Sequence, residues 1–428
     1  MKIYYKRKLS REELLQLIKR PGDGAENIKT LVNNICLDVK KRGDDAVREY
    51  GDLYEPTAVE EFRVMDDEIE EAENLVSPKL RDAISVAAAN IRKFHESQLR
   101  DTTEITIADG ITCRREIRSY DTVGLYIPAG SAPLPSTVLM LGIPAHIAGC
   151  NRIVLCSPPN AAATVDPTVL VAASQLGIGE IYKAGGAQAI AAMAYGTKSI
   201  PKVEKIFGPG SRYVMLAKQF VSNDPDGCPV DLIAGPSELL VLADTTADAS
   251  VIAIDLLSQA EHDPFSQVVL VTPEEKLAEE VVKIVQTRTP QLQRRKIIEQ
   301  SIARSYALVV PSLQEAVNFT NDYAPEHLSI FTQNPEDIAS QIKHAGSVFL
   351  GEYSPVTAGD YASGTNHTLP TSGSAKWFGG LTVESFQKSI TFQTLTEEGL
   401  KNLAPALITL TEAEGLEAHK LAVTERLK

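Results

Sequence analysis

Hydrophobic residues in the middle of the chain occur in short runs that alternate with longer helical stretches. Five such runs lie at Val123–Ile127, Arg152–Cys156, Ile181–Lys183, Glu204–Phe207 and Asp231–Ala234. Alanine-rich stretches between them, at 137–148 and 187–195, are typical of helices. Strands and helices that alternate at this spacing predict a parallel sheet with both faces covered. We therefore predict one α/β unit over residues 123–234.

The same pattern restarts after Gly235-Pro236-Ser237, which we interpret as the crossing point between two units. The predicted strands are Leu239–Leu242, Gln267–Val271, Tyr306–Val310, His327–Phe331 and Ser347–Leu350, and the clearest helix is Ala249–His262. The predicted fold class is α/β, with two units built on mostly parallel sheets. No sequence repeat relates the two units.

The ends of the chain have a different pattern. Ser10 is a predicted helix N-cap with Glu13 three residues later, so residues 10–19 form a helix in a small arm over residues 1–20. Residues 26–100 are helical in pattern, and residues 104–119 are strand-like. Residues 351–374 form a long polar loop, and residues after 380 are predicted to be helical to the end, with a core face at Leu403, Leu407 and Leu410.

Two polar clusters indicate a metal site. Gln259 and His262 lie three residues apart at the end of a predicted helix, hence on one face of its last turn. This spacing alone is weak, because a histidine at a helix end commonly interacts with the last carbonyl groups. About a hundred residues later, the polar loop carries Asp360 and His367, and long loops of this kind are more often functional than idle.

Glu326 and His327 follow Pro325 at the start of a predicted strand, where they could supply an acid and a base or simply form a surface turn. Glu414 and His419, five residues apart, would be separated by about 140° on one straight helix. Either Gly415 interrupts that helix, or the site is approached edge-on, or one of the two residues is ordinary surface. His95, His146 and His344 are predicted to have structural or solvated roles.

Two glycine-rich turns, Gly185-Gly186 and Gly208-Pro209-Gly210-Ser211, connect predicted strands to predicted helices. Backbone N–H groups in such turns can bind a phosphate group, but neither turn completes the G-x-G-x-x-G pattern. Turn geometry alone explains most glycines of this kind.

Composition narrows the function classes further. A chain of 428 residues with a net charge of −14 and no basic block is not typical of a nucleic-acid-binding protein. The charged N-terminus has no signal-peptide core, no run of 18 apolar residues occurs, and we expect a soluble cytoplasmic protein. Five cysteines without C-x-x-C spacing are expected to be reduced and mostly buried.

Five segments taken together resemble the histidinol dehydrogenase family, and the similarity extends over nearly the whole chain. They are Ala234–Glu238, Ser258–His262, Ala324–Leu328, Ala358–Leu369 and Glu414–His419. The resemblance implies a zinc-containing homodimer that oxidises L-histidinol to L-histidinaldehyde and then to L-histidine with two NAD, the last steps of histidine biosynthesis. It also implies two incomplete Rossmann-like domains, with small terminal segments exchanged between subunits.

The resemblance implies roles for individual residues. The zinc ligands would be Gln259, His262, Asp360 and, from the partner chain, His419. The substrate would contact these four residues together with Ser237, His327, His367 and Glu414. His327 would be the general base and Glu326 would activate water. NAD would contact Tyr126, Gln188 and Ser211, although the family usually has Asn where Ser211 stands.

The resemblance also implies a division of the chain. Residues 1–20 form the arm, residues 21–122 and 235–378 the zinc-binding catalytic domain, residues 123–234 the NAD-binding domain, and residues 379–428 a dimerisation segment. Alternatives from other classes are a metal-dependent hydrolase, an oxidoreductase for another amino alcohol, a cysteine-dependent aldehyde oxidation and a non-catalytic scaffold.

Overall fold

Two parallel sheets organise the computed structural model, which describes residues 1–20, 26–129, 132–232 and 235–428. Its strands are β1 Lys2–Tyr5, β2 Thr103–Ala108, β3 Ile111–Ser119, β4 Thr122–Tyr126, β5 Arg152–Ser157, β6 Glu180–Lys183, β7 Lys205–Phe207, β8 Glu238–Ala243, β9 Gln267–Thr272, β10 Tyr306–Val309, β11 His327–Phe331, β12 Ser347–Leu350 and β13 Gln387–Leu395.

The α-helices connect these strands and cover both parallel sheets. They are α1 Arg11–Ile18, α2 Glu26–Arg42, α3 Asp44–Tyr54, α4 Asp66–Leu75, α5 Pro78–Glu96, α6 Pro135–Ala148, α7 Pro167–Gln175, α8 Gly186–Tyr195, α9 Arg212–Asn223, α10 Ala249–Ala260, α11 Glu275–Arg288, α12 Arg295–Ala303, α13 Leu313–Tyr323, α14 Pro335–Ala339, α15 Val356–Tyr361, α16 Glu397–Ala413 and α17 Glu417–Thr424.

The larger sheet has six parallel strands in the order β1-β10-β9-β8-β11-β12. Every residue of β8, β9 and β11 is buried, as expected for central strands that are covered on both faces. One core lies between the sheet and helices α10, α11 and α12, and a second lies between the opposite face and α13 and the N-terminal arm. The predicted second α/β unit is confirmed.

The smaller sheet has four parallel strands in the order β6-β5-β4-β7. Helices α4 to α7 share a hydrophobic core with one face, and α2, α3, α8 and α9 share a core with the other. The α2–α5 segment therefore packs with this sheet, although the sequence analysis grouped residues 21–122 with the larger one. The predicted strand at 231–234 is wrong at Asp231 and Leu232, which form a bend and an irregular segment. Ile233 and Ala234 lie outside the described residues.

The N-terminal arm packs against the larger sheet. Its predicted helix is confirmed with a complete capping box, in which Ser10 and Glu13 each accept from the other's backbone N–H. The strand β1 before it was not predicted, and it pairs in parallel with β10 at the edge of the sheet. Leu14, Leu17 and Ile18 then pack against the core beneath α13.

The C-terminal segment differs most from the prediction. Residues after 380 were expected to be helical throughout, but β13 pairs in antiparallel register with all nine residues of β3. The third sheet, β13-β3-β2, leaves Ile105, Ile107 and Ile390 exposed. Ile390 and Phe392, which alternate with polar residues over 389–393, were the overlooked strand signal.

The last two helices have little core of their own. Gly415, with φ at +70°, separates α16 from α17, so the alternative in which this glycine interrupts the helix is correct. Leu403 and Leu407 are only half-buried and Leu410 is exposed, so the predicted core face does not lie against this chain's core. The fold class is confirmed as α/β with two mostly parallel sheets and small helical terminal segments.

Candidate active site

The candidate site lies at the amino edge of the larger sheet. His327 begins β11, and its partner in the neighbouring strand β8 is Leu239, so Glu238 and Glu326 also lie at this edge. Helix α10 runs back from the carboxyl edge, and its C-terminal end brings Gln259 and His262 to the same place. The C-terminal end of a helix carries a partial negative charge, which favours a cation.

Glu326 and His327 form a buried pair that is held by the backbone of β8. The side chains of Glu326 and His327 are only 6% and 4% exposed, so the alternative of a solvated surface turn is wrong. Glu326 Oε2 accepts the backbone N–H of Glu238 at 2.8 Å. His327 Nδ1 lies 3.1 Å from the carbonyl oxygen of Glu238 and 3.4 Å from Glu326 Oε2. Because a carbonyl oxygen only accepts, Nδ1 carries a proton and Nε2 points into the site.

Two carboxylates set the ionisation of His327. Burial lowers the pKa of His327, but Glu326 and Asp360 raise it, and the result lies well above the ordinary value. Nε2 lies 3.4 Å from Asp360 Oδ1 without a hydrogen bond among the described residues. Burial raises the pKa of Glu326 above its ordinary value, although His327 opposes this. An imidazole between two carboxylates is suited to exchanging a proton with a substrate.

Of the predicted metal ligands, His262 and Asp360 lie close to His327, and Gln259 lies in the last turn of α10 before His262. Burial raises the pKa of Asp360, but the nearby His327, His367 and His262 lower it below its ordinary value. The Gln259 side chain is 2% exposed and its amide Nε2 has no hydrogen-bond partner among the described residues. A buried amide without a partner costs free energy unless a ligand or a rotated neighbour satisfies it. His262, in contrast, lies exposed at the outer rim.

The polar loop folds over this edge through α15. His367 Nδ1 donates to the carbonyl oxygen of Asp360 at 2.8 Å, and the Thr137 hydroxyl donates to His367 Nε2 at 3.2 Å. Asn366 Nδ2 donates to the carbonyl oxygen of Met140 at 2.6 Å and to Nε2 of the buried His95 at 3.2 Å. Because Thr137 and Met140 belong to α6, the loop joins the two sheets at the site, and the structural role predicted for His95 is confirmed.

Tyr126 and Gln188, the predicted cofactor contacts, lie buried at the carboxyl edge of the smaller sheet. The Tyr126 hydroxyl accepts the backbone N–H of Gly186 at 3.0 Å. Glu55, at the end of α3, accepts from the N–H of Gly185 at 2.6 Å and from Gln188 Nε2 at 3.3 Å. The Tyr126 hydroxyl and the Glu55 carboxylate therefore already accept the N–H groups of Gly186 and Gly185, which the sequence analysis considered suitable for a phosphate.

Glu55 gives a prediction for the pH dependence of stability. Burial raises the pKa of Glu55 to about 7, although the Gly185 and Gln188 hydrogen bonds oppose this. The pKa of Glu55 is higher in the folded protein than in the unfolded one. Its contribution to the free energy of unfolding is therefore lost as pH rises from about 4.5 to 7. We expect Glu55→Gln to raise the free energy of unfolding by on the order of 1 kcal/mol at pH 8. At pH 5, near the start of this range, the gain should be much smaller.

Thermal unfolding of both proteins at pH 5 and pH 8 measures this effect. Glu204→Gln serves as a control for removing one acidic charge elsewhere on the smaller sheet. An equal gain for Glu55→Gln at both pH values would contradict the prediction.

The second glycine-rich turn, at Gly208-Pro209-Gly210-Ser211, is held by hydrogen bonds to neighbouring residues. Gly208 has φ at +126°, and a Cβ there would lie 2.2 Å from the Tyr126 carbonyl oxygen, so only glycine fits. The Gly208 N–H donates to Asp231 at 2.8 Å, and Lys218 Nζ donates to the Gly208 carbonyl at 2.8 Å. Ser211 is exposed at the N-terminus of α9, and its side chain makes no capping hydrogen bond.

Of the remaining predicted substrate contacts, Ser237 lies beside the buried pair, whereas Glu414 and His419 lie apart from it. Ser237 is half-buried directly before Glu238, and its carbonyl accepts the N–H of Gln267 at 3.3 Å. Glu414 and His419 are exposed on either side of the α16–α17 break. Among the described residues, no hydrogen bond or ion pair joins these two side chains to His327 or Asp360.

The comparisons with known proteins identify the family. A family model described as "Histidinol dehydrogenase" matches residues 18–427. The chain belongs to the histidinol dehydrogenase family. The relative from Vibrio vulnificus, strain YJ016, is 49% identical over 422 residues, which cover 98% of this chain and 97% of that protein. The relative from Photobacterium profundum is 46% identical over 430 residues, covering 100% and 96%. Both are named histidinol dehydrogenase, and membership makes this chain an oxidoreductase.

A solved structure extends this likeness to the fold. The crystal structure of histidinol dehydrogenase from Elizabethkingia anophelis is 46% identical and superposes with a TM-score of 0.95. It covers 100% of this chain and 98% of that one. Within the described ranges, no helix of this histidinol dehydrogenase family member is long and apolar enough to cross a membrane.

The sequence analysis missed several residues that hold the site. Glu238, Thr137 and Glu55 contact predicted site residues and Arg20 contacts Glu238, yet none of the four carries a local signal beyond its charge or hydroxyl group. Asp255 lies one turn before Gln259 on α10, and burial raises its pKa to about 6. Asp255 Oδ2 and Gln259 Nε2 both lack a partner and are complementary. Their spacing of four residues was the available signal.

Proposed function

We propose that the protein oxidises L-histidinol through L-histidinaldehyde to L-histidine, with two NAD consumed and zinc bound at the site. The observation that carries the proposal is the buried Glu326–His327 pair facing Asp360 in a chain that the family matches over residues 18–427. The two oxidations would be the last steps of histidine biosynthesis. A cytoplasmic location remains a prediction.

The donor set fits a zinc site that a second chain completes. Among the described residues, no group of three or more His, Cys, Asp or Glu side chains could hold a metal ion within one chain. Two ligands of that kind, His262 and Asp360, meet here, and the buried amide of Gln259 would add its oxygen as a third. His419 of a second chain would complete four ligands, as zinc prefers. Zinc would supply a Lewis acid that holds the imidazole and amino nitrogens of the substrate.

His327 would act as the general base for the alcohol. Its Nδ1–H donates to the Glu238 carbonyl, which leaves Nε2 as the atom that takes the hydroxyl proton. In the structure Asp360 and Glu326 both raise its pKa. If Asp360 bound the metal, only Glu326 would still raise the pKa of His327. That pKa would then be lower, so Nε2 would more readily be free to accept a proton at neutral pH.

Glu326 would act in the second oxidation. Its Oε2 accepts the Glu238 N–H and lies beside His327, so the carboxylate is fixed in place. A carboxyl group whose pKa is raised by burial is a stronger base than an exposed one. Glu326 would remove a proton from the water that adds to the aldehyde carbon. His327 would then take the proton from the resulting hydrate.

The cofactor would lie between the two sheets. NAD would accept one hydride in each oxidation and exchange between them. Tyr126, Gln188 and Ser211 are the proposed contacts, and Glu55 would have to share Gln188 with the cofactor. We also propose a division into a catalytic unit on the larger sheet and a cofactor-binding unit on the smaller one, with α2–α5 packed on the latter.

A homodimer with shared sites is the proposed assembly. Strand β2 exposes Ile105 and Ile107, and α16 exposes Leu410. Exposed apolar surface of this kind is typical of an interface. Glu414 and His419 would reach the site of the partner from the exposed α16–α17 segment.

Cysteine-dependent aldehyde oxidation is disfavoured by the structure. Cys150 and Cys156 are buried, and burial raises the pKa of the Cys150 thiol to about 12. A nucleophilic cysteine needs the opposite shift. No disulfide forms among the five cysteines, as the sequence analysis predicted.

NADH formation from L-histidinol tests the proposed reaction. We expect two NADH for each histidinol, loss of turnover after chelation, and recovery when zinc is restored. D-Histidinol serves as the control substrate. Turnover that needs no NAD would support a metal-dependent hydrolase instead, and bound zinc without NADH would direct the search to other amino alcohols.

A further inference from the structure

A buried ion pair lies directly behind the Glu326–His327 pair. Arg20, the last described residue of the N-terminal arm before α2, donates from Nε to Glu238 Oε2 at 2.7 Å and from Nη2 to Glu238 Oε1 at 2.6 Å. The side chain of Glu238 is 1% exposed and that of Arg20 is 16% exposed. A two-point contact between a guanidinium and a carboxylate fixes the orientation of both groups.

Glu238 contacts both members of the proposed acid–base pair. Its backbone N–H donates to Glu326 Oε2, and its Oε1 accepts the backbone N–H of Glu326 at 3.3 Å. Its carbonyl oxygen accepts Nδ1–H of His327. One residue therefore holds the carboxylate of Glu326, the backbone of Glu326 and the ring of His327.

Arg20 holds the turn that leads into the pair. Its guanidinium lies 3.6 Å from the ring centroid of Tyr323, and Nη1 donates to the Tyr323 carbonyl at 2.8 Å. Nη2 lies 3.4 Å from the carbonyl oxygen of Ala324. Ala324 is fully buried with φ at +52°, a conformation that alanine rarely adopts. Such a residue keeps this conformation only when its surroundings hold it there.

We infer that Arg20 and Glu238 are positioning residues that aim His327 Nε2 and the Glu326 carboxylate at the substrate. The inference rests on the proposed function for the reaction that it affects. The N-terminal arm is then part of the active site's support, because Arg20 reaches Glu238 only when residues 1–20 are packed on the larger sheet. The alternative is that Arg20 only anchors the arm.

Tyr306 provides a matched control for that alternative. Its hydroxyl donates to the Leu17 carbonyl at 2.8 Å, so it anchors the same arm without contacting Glu326 or His327.

We expect Arg20→Met to lower kcat about 10- to 100-fold with little change in KM, because displaced groups still bind substrate but react slowly. Arg20→Lys should recover part of the loss, since lysine restores the charge without the two-point contact. Tyr306→Phe should keep the kcat of the unmodified protein.

Arg20→Met leaves the buried Glu238 carboxylate without its partner, which is strongly destabilising. Glu238→Gln, which leaves no buried carboxylate, covers the case in which Arg20→Met does not fold. Glutamine keeps the size and one acceptor oxygen but loses the charge that fixes Arg20. We expect a lower kcat and a shifted pH profile of kcat/KM in this variant. An unchanged kcat and pH profile in folded Glu238→Gln would overturn the inference, as would equal losses in Arg20→Met and Tyr306→Phe.

A readout without turnover separates this inference from the proposed function. The chain has seven histidines, and labelled histidine with the His327→Asn variant assigns the ring signal of His327. In the metal-loaded protein we expect Glu238→Gln to move that signal and Tyr306→Phe to leave it in place. A His327 signal unchanged by Glu238→Gln would overturn the positioning role. Absence of NADH in the unmodified protein would instead contradict only the proposed reaction.

Discussion

The variant His327→Asn is expected to lose about 10²- to 10⁴-fold in kcat for both oxidations. Asparagine can keep a hydrogen bond to the Glu238 carbonyl through its amide group, but it offers no basic nitrogen where Nε2 stands. The loss should therefore be in chemistry rather than in folding. Rapid-mixing measurements of NADH, started once from L-histidinol and once from L-histidinaldehyde, separate the two steps.

Two variants make the result for His327 specific. His344→Asn changes a half-buried histidine outside the cluster and should keep full activity. Glu326→Gln should retain the first oxidation better than the second, because its proposed partner is the water that adds to the aldehyde. An unchanged first oxidation in His327→Asn would remove His327 from the role of base.

The fold was largely predictable because its central strands are continuous hydrophobic runs. Strands β8, β9 and β11 are buried on both faces, so their interiors are apolar except for Ser329 and their limits are clear. The edge strand β1 and the exposed strand β13 were missed for the opposite reason. Each gains its stability from pairing with a distant segment, β10 and β3 respectively, and exposed residues on one or both faces dilute the hydrophobic pattern.

The candidate site was predictable only in part. Glu326, His327, Gln259, His262 and Asp360 stood out because polar groups interrupt apolar elements or lie close together in sequence. Arg20 and Glu238 did not stand out, since 218 residues separate them in the sequence and no residue near either one indicates that they form a pair. The location of the site was also not predictable, because helix α10 and strand β11 meet at the amino edge of their sheet, whereas open α/β sheets commonly bind ligands at the carboxyl edge.

The sharing of sites between subunits gives the second large expected effect. We expect His262→Asn and His419→Asn each to lose bound zinc. The loss of activity should exceed about 10- to 100-fold, which is the typical loss when a residue that only supports a metal ligand is changed. If His419 serves the partner's site, a mixed dimer has one site with both changes and one site with neither. Random pairing of equal amounts makes half of the dimers mixed, so activity should recover to about one quarter of that of the unmodified protein.

The experiment mixes the two inactive variants, dissociates and reassociates the subunits, and measures NADH formation and zinc content. Each variant carried through the same procedure alone is the control for recovery without exchange. His262→Asn mixed with Asp360→Asn is the matched control, because both changes lie in one chain's own cluster and no pairing yields an intact site. Failure of the His262→Asn and His419→Asn mixture to recover, with mixed dimers demonstrated by mass, would contradict sharing. The exposed His262 and the exposed His419 would then need a contact within one chain that brings α17 to the amino edge of the larger sheet.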